Sequence, residues 1–125
     1  METKTITPGQ LKASLAQFTG TEHYYQHKSI GSSILLTDGC KYLAENAQCY
    51  WLFDLIMSYQ HRKDIKQARL QVWILKKQDD ITWIVHCTDG NHTVLARQDI
   101  TYSDFPLDEI TIWFADSVAM LPSEY

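Results

Sequence analysis

Leu11, Leu15 and Phe18 recur at spacings of four and three, one apolar stripe along a helix. Thr7-Pro8-Gly9-Gln10 ahead of them has the form of a helix start. Threonine caps, proline suits the first turn, and a glutamine three residues on closes a capping box. Gly20 ends that helix. The next stretch, Thr21 to Lys28, fits either a strand or an ordered loop, and the adjacent Tyr24 and Tyr25 favour extended backbone. Ile34-Leu35-Leu36 is a short apolar strand, closed by the turn and cap residues Thr37-Asp38-Gly39.

From Cys40 to Tyr59 the apolar positions return to helical spacing, with Asn46 as a breaking point. The second half, Tyr50 to Met57, is apolar nearly all round, which predicts a central helix covered on more than one side. After it the period drops to two. Leu70, Val72 and Ile74 alternate with Gln71, Trp73 and Leu75, and Ile81, Trp83, Val85 and Cys87 alternate with Thr82, Ile84 and His86. Gln78-Asp79-Asp80 turns the chain between them, and Asp89-Gly90-Asn91 is the strongest hairpin signal. A third strand is expected from Thr93 to Tyr102 and a fourth from Ile110 to Ala115, with Ile110, Ile112 and Phe114 on one face.

This order predicts an α+β fold, a single domain over residues 1–125, with N-terminal and central helices packed on a four-stranded antiparallel meander. Trp73, Leu75, Ile84 and Trp113 are assigned to the sheet face away from the helices. A face that apolar calls for cover by the N-terminal segment or by a second subunit.

Composition narrows the function classes. Apolar residues make up 45% of the chain, ordinary for a globular protein and too many for a disordered one. Net charge is −4, against generic binding to nucleic acid backbones. The charge is uneven: seven basic against six acidic residues through Lys66, then four against nine. The basic group Arg62, Lys63, Lys66 and Arg69 is the one place a nucleic acid contact has support, and it reads more simply as a solvated face. Three cysteines, Cys40, Cys49 and Cys87, with no CxxC pair, fit reduced core thiols. A polar start without an apolar h-region and no long apolar run predict no signal peptide, no membrane span and a cytoplasmic protein.

Candidate chemistry is sparse. His23 and His27 are four apart, but on a strand that separation is roughly 13 Å, too far for one ion, and no metal or other cofactor is expected. Asp54 sits in an apolar helix, where an ionised carboxylate needs partners; it is read as a buried acceptor or, functionally, as a buried acid or base. Asp38 is placed to cap the central helix, and Asp104 to start the turn before Phe105-Pro106. Cys87 and His86 are adjacent on a strand and so point apart.

Five segments carry a resemblance: Phe18-Thr19-Gly20-Thr21 through Tyr24-Tyr25, Thr37-Asp38-Gly39, Tyr50-Trp51-Leu52, Asp104-Phe105-Pro106-Leu107, and Leu121-Pro122-Ser123-Glu124-Tyr125. In this order they resemble a family of small bacterial, plasmid- and phage-associated proteins of unknown function. The resemblance implies a cytoplasmic accessory role and brings no activity, cofactor or catalytic residue.

The reading that follows is a small non-enzymatic binding or protein-interaction module, contacting a protein partner or a second copy of itself through Tyr24, Tyr25, Trp73 and Trp113. The alternative is a small hydrolase whose site draws on His23, His27, Asp38, Asp54 and Asp104. It requires a histidine and a carboxylate within hydrogen-bond reach. A nucleic-acid-associated protein is the third. Tyr125 is expected either docked on the body or solvated.

Overall fold

In a computed structural model, residues 7–29, 31–101 and 103–125 are described. The polar opening read as lacking a signal peptide, and Tyr102, the expected end of the third strand, lie outside them. Helix α1 (Pro8–Leu15) begins with the expected capping box: Thr7 Oγ1 accepts from the Gln10 amide at 3.1 Å, and Gln10 Oε1 accepts from the Thr7 amide at 3.0 Å. Strands β1 (Tyr24–Ser29) and β2 (Ser32–Thr37) form a hairpin, which settles Thr21–Lys28 in favour of a strand over most of its length. Helix α2 (Asp38–Asn46) and helix α3 (Tyr50–Ser58) are separate, with Gln48 at φ 52° between them. A short helix α4 (Lys63–Lys66) leads to strands β3 (Gln71–Lys77), β4 (Trp83–Thr88), β5 (Val94–Ile100), β6 (Glu109–Ala115) and β7 (Val118–Met120). One 3-10 turn follows α3, and a second, Pro122–Glu124, follows β7.

The α+β class is as expected, but the sheet is larger and mixed. Its seven strands run β1-β2-β7-β6-β3-β4-β5. The predicted meander is present as β3 to β6, although the order across it is β6-β3-β4-β5. The hairpin β1–β2 joins through β7, which pairs parallel with β2 (Leu35 beside Val118) and antiparallel with β6 (Trp113 beside Met120).

Register decides which tryptophan faces the core. Opposite residues on antiparallel strands share a face, and Trp73 lies opposite both Ile112 and Cys87. Trp73 and Leu75 therefore face the helices, each 1% exposed, which corrects their assignment to the outer face. Ile84 and Trp113 do lie on the outer face, and Val72 and Ile74 join them there. The helix-covered face holds Ile34, Leu36, Trp73, Leu75, Val85, Ile112 and Phe114, in one cluster with Leu11, Leu43, Phe53 and Ile56.

Gln71 is the buried polar exception on that face, and it is fully used. Its Oε1 accepts from Trp73 Nε1 at 3.0 Å, while its amide nitrogen donates to the Ile65 carbonyl at 3.1 Å. No helix among the described residues is long and apolar enough to cross a membrane.

Candidate functional site at the β1, α2 and α3 face

Strand β1 alternates, so Tyr25 and His27 turn toward the helices while Tyr24 turns away, 57% exposed. His23, one residue ahead of the strand, has its ring 6.4 Å from that of Tyr25. Across from this row lie Asp38, Lys41 and Glu45, along α2, and Tyr50 and Asp54, one turn apart on α3.

The contacts are close. His27 Nε2 is 2.7 Å from Asp54 Oδ1, and the His27 ring stacks on Tyr50 with centroids 5.3 Å apart. Lys41 Nζ donates to the Tyr50 hydroxyl at 3.1 Å and sits 5.5 Å from the centre of the Tyr25 ring and 5.7 Å from that of Tyr50. Glu45 is within 3.8 Å of the same ammonium. His23 Nδ1 is 3.9 Å from Asp38 Oδ1. The other Asp38 oxygen accepts from the Glu22 amide at 2.9 Å, and Thr21 Oγ1 accepts from the Asp38 amide at 2.8 Å.

These partners set the charge states. The Glu22 amide, helped by Tyr25 and Thr21, holds the Asp38 carboxyl below the usual range. The Tyr50 hydroxyl beside Lys41 pushes its ammonium up. Tyr25 is raised by loss of solvent and by the Asp38 carboxylate. What results is a strip of two aromatic rings and one fixed cation between two histidine–carboxylate pairs.

Five of the residues singled out from the sequence meet here: His23, Tyr25, His27, Asp38 and Asp54. Asp54 is not buried, as its apolar neighbours in sequence suggested. Tyr50, Asp54 and Ser58 form the α3 stripe that turns away from the core, and the Asp54 side chain is 48% exposed. Asp104 is exposed in the loop before β6, outside the cluster. Trp73 is in the core, so its assignment as a binding residue is overturned by burial. Trp113 is half-buried on the outer face, where the Tyr125 ring meets it edge-on at 5.3 Å. Tyr125 itself stays 84% exposed. Lys41 and Tyr50 were missed as site residues; the signal was a tyrosine opening an apolar helix nine residues after a lysine on the preceding one.

The basic group splits. Arg62 is held by Asp64 at 2.6 Å and by the Leu95 carbonyl at 3.2 Å, whereas Lys66 and Arg69 border a polar cleft of ≈ 510 Å³ with Ser32, Asp116 and Ser117. Among the described residues, no three His, Cys, Asp or Glu side chains gather as a metal site.

A family model described as Family of unknown function (DUF6876) matches residues 9–125. The chain belongs to DUF6876. No curated protein matches it, and no solved structure does. In this DUF6876 member, four of the five segments singled out from the sequence converge on α2. The Phe18 ring lies 5.4 Å from Tyr42, Thr21 bonds the Asp38 amide, Tyr50 bonds Lys41, and Glu124 accepts from the Gly39 amide at 2.9 Å. Phe105 of the fifth packs edge-on against Trp83 at 5.6 Å. In this chain those segments therefore anchor α2 at least as much as they form a surface.

Proposed function

We propose that this chain is a small non-enzymatic protein-interaction module, one cytoplasmic domain of accessory type, whose contact surface is the β1, α2 and α3 strip together with Tyr24. The observation that carries this reading is the exposure of Tyr25 beside the Lys41 ammonium, which the Tyr50 hydroxyl holds in place, with Tyr24 exposed on the opposite face of the same edge strand. Tyrosine side chains anchor protein interfaces, because they bury large area with little loss of rotamer freedom. The strip's charges are already partnered within the chain, so a partner need not supply a compensating ion for each.

A photo-crosslinking amino acid in place of Tyr24, with Ile81 as an exposed apolar control site, tests the reading in cells. One discrete protein adduct from position 24 and none from position 81 is expected. Adding Tyr25→Ala and Lys41→Ala should reduce it. Equal labelling from both positions, or none from position 24, would overturn the reading.

The 2.7 Å contact of His27 with Asp54 favours one second reading, a hydrolase in which Asp54 orients His27 as a general base toward water. Saturable hydrolysis of a chromogenic ester, lost in His27→Ala, would support it. Activity unchanged in that variant would remove it.

A further inference from the structure

The two edges of the sheet are treated differently by the rest of the chain. Strand β5 is guarded. Arg62 Nη2 donates to the Leu95 carbonyl, Tyr59 hydroxyl reaches Gln98 at 2.8 Å, a bulge interrupts the pairing at Cys87 and Thr88, and Arg97 and Asp99 put charge on the strand. Charge, bulges and covering groups are the usual means of blocking an exposed edge. Strand β1 has none of the covering. It pairs with β2 without a register shift over all six residues, contains no proline, and among Asp, Glu, Lys and Arg carries Lys28 alone. Among the described residues, no hydrogen bond other than those to β2 reaches the backbone of Tyr24–Ser29. One row of amide and carbonyl groups is therefore left open beside exposed Tyr24 and Tyr25.

The sequence of this open edge complements itself. In an antiparallel pair of two identical strands, the two-fold axis runs normal to the sheet and midway between one residue and its copy, so that matching faces align. With the axis at Gln26, Tyr24 of one copy faces Lys28 of the other on the outer side. Tyr25 faces His27 on the helix side, and the two Gln26 side chains meet at the centre. Both flanking pairs join an aromatic ring to a cationic or aromatic partner, and no like charges oppose. Moving the axis to His27 would bring together two rings that Asp54 and Tyr50 already hold.

We infer that β1 pairs antiparallel with β1 of a second copy about Gln26, joining two seven-stranded sheets into one. The inference rests on the interaction-module reading and names the partner as the same chain. A single strand edge buries less than a stable interface needs, so Tyr25, Lys41 and Tyr50 add their area and the dimer dissociates on dilution.

Gln26 is exposed, and a charge there leaves the monomer's packing intact. Gln26→Lys places two lysines directly opposite at the axis, with their Cβ atoms roughly 5 Å apart, so that like charges face each other. Light scattering over a concentration series should show a reversible dimer for the parent chain and a dissociation constant raised about tenfold or more for Gln26→Lys. An equimolar mixture of Gln26→Lys and Gln26→Glu should recover the dimer. Urea midpoints of both variants, unchanged from the parent, confirm that the fold is retained. A parent chain that is monomeric throughout, a dimer indifferent to Gln26→Lys, or a mixture that fails to recover each overturns the inference. In all three cases a Tyr24 adduct with a different polypeptide would leave the module reading standing, and its absence would remove both.

Discussion

The Glu124 carboxylate fills the space that a side chain at position 39 would need. A Cβ on Gly39 would lie 2.7 Å from Glu124 Oε1 and 2.6 Å from Leu121 Cδ1. The same carboxylate accepts from Thr37 Oγ1 at 2.6 Å and from the Gly39 and Leu121 amides at 2.9 Å each. It thus satisfies a free amide at the start of α2, where a negative charge is also favoured by the helix dipole.

Glu124→Ala should lower stability by about 1–3 kcal/mol, because the Thr37 hydroxyl and two amides lose a buried acceptor. Gly39→Ala should cost a similar amount, about 1–3 kcal/mol, by forcing the terminal turn away. Since both changes break one contact, the double variant should lose less than the sum. Urea midpoints of the four proteins measure the coupling, and strict additivity would show that the two residues act apart.

Asp38 gives a pH dependence with a defined sign. Its folded-state carboxyl is held low, first by the Glu22 amide, so the unfolded chain binds the proton more readily. Its stabilising effect is present above the ordinary carboxylate range and is lost as pH falls through the lowered folded value. Asp38→Asn should flatten the acid limb of the stability curve from the ordinary carboxylate range down through the lowered folded value, with little change in shape above it. An acid limb as steep as in the parent would locate the titrating carboxylates elsewhere.

The tryptophans should separate by accessibility. Trp73 is 1% exposed, bonded to Gln71, with the Tyr59 ring 5.4 Å away. Trp73→Ala should cost about 3–5 kcal/mol, as large core truncations do. Trp113→Ala, on the half-buried outer face, should cost clearly less. With single-tryptophan variants, acrylamide should quench Trp113 emission and barely touch Trp73. The reverse ranking would mean that β3 is registered one residue out.

All three cysteines should resist a thiol reagent in the native protein and react together on unfolding. Burial pushes Cys49 and Cys87 up to about 12 and Cys40 well above its ordinary value, which leaves almost no thiolate at neutral pH. Fast labelling of any one under native conditions would mark a local opening at that site.

Local signals in the chain were reliable where one short segment decides the outcome. Thr7 and Gln10 made their capping box, Asn46 ended a helix, and the Asp89-Gly90 turn joined two strands. What stayed hidden depended on distant partners. Val118-Ala119-Met120 is too short to announce a strand; it turns back on β6 in a tight hairpin, and its place beside β2 comes from pairing across the length of the chain. The faces of β3 could not be assigned from alternation alone, because both sets of residues are apolar; opposition to Ile112 decided it. The site was half legible. His27 and Asp54 were both noticed, but their pairing needed β1 to lie beside α3, and the apolar neighbours of Asp54 pointed to burial instead of a solvent-facing stripe.

The insertion of β7 into the middle of the sheet sets the timetable of synthesis. The β1–β2 hairpin is made early, yet its inner edge stays open until Val118–Met120, which follows β6 directly, has left the ribosome and can lie beside it. A nascent chain arrested before that point carries a hairpin whose β2 is unpaired on its inner side, and is exposed to misassociation. Because this closing step joins residues far apart in sequence, the sheet completes late and slowly compared with its local hairpins.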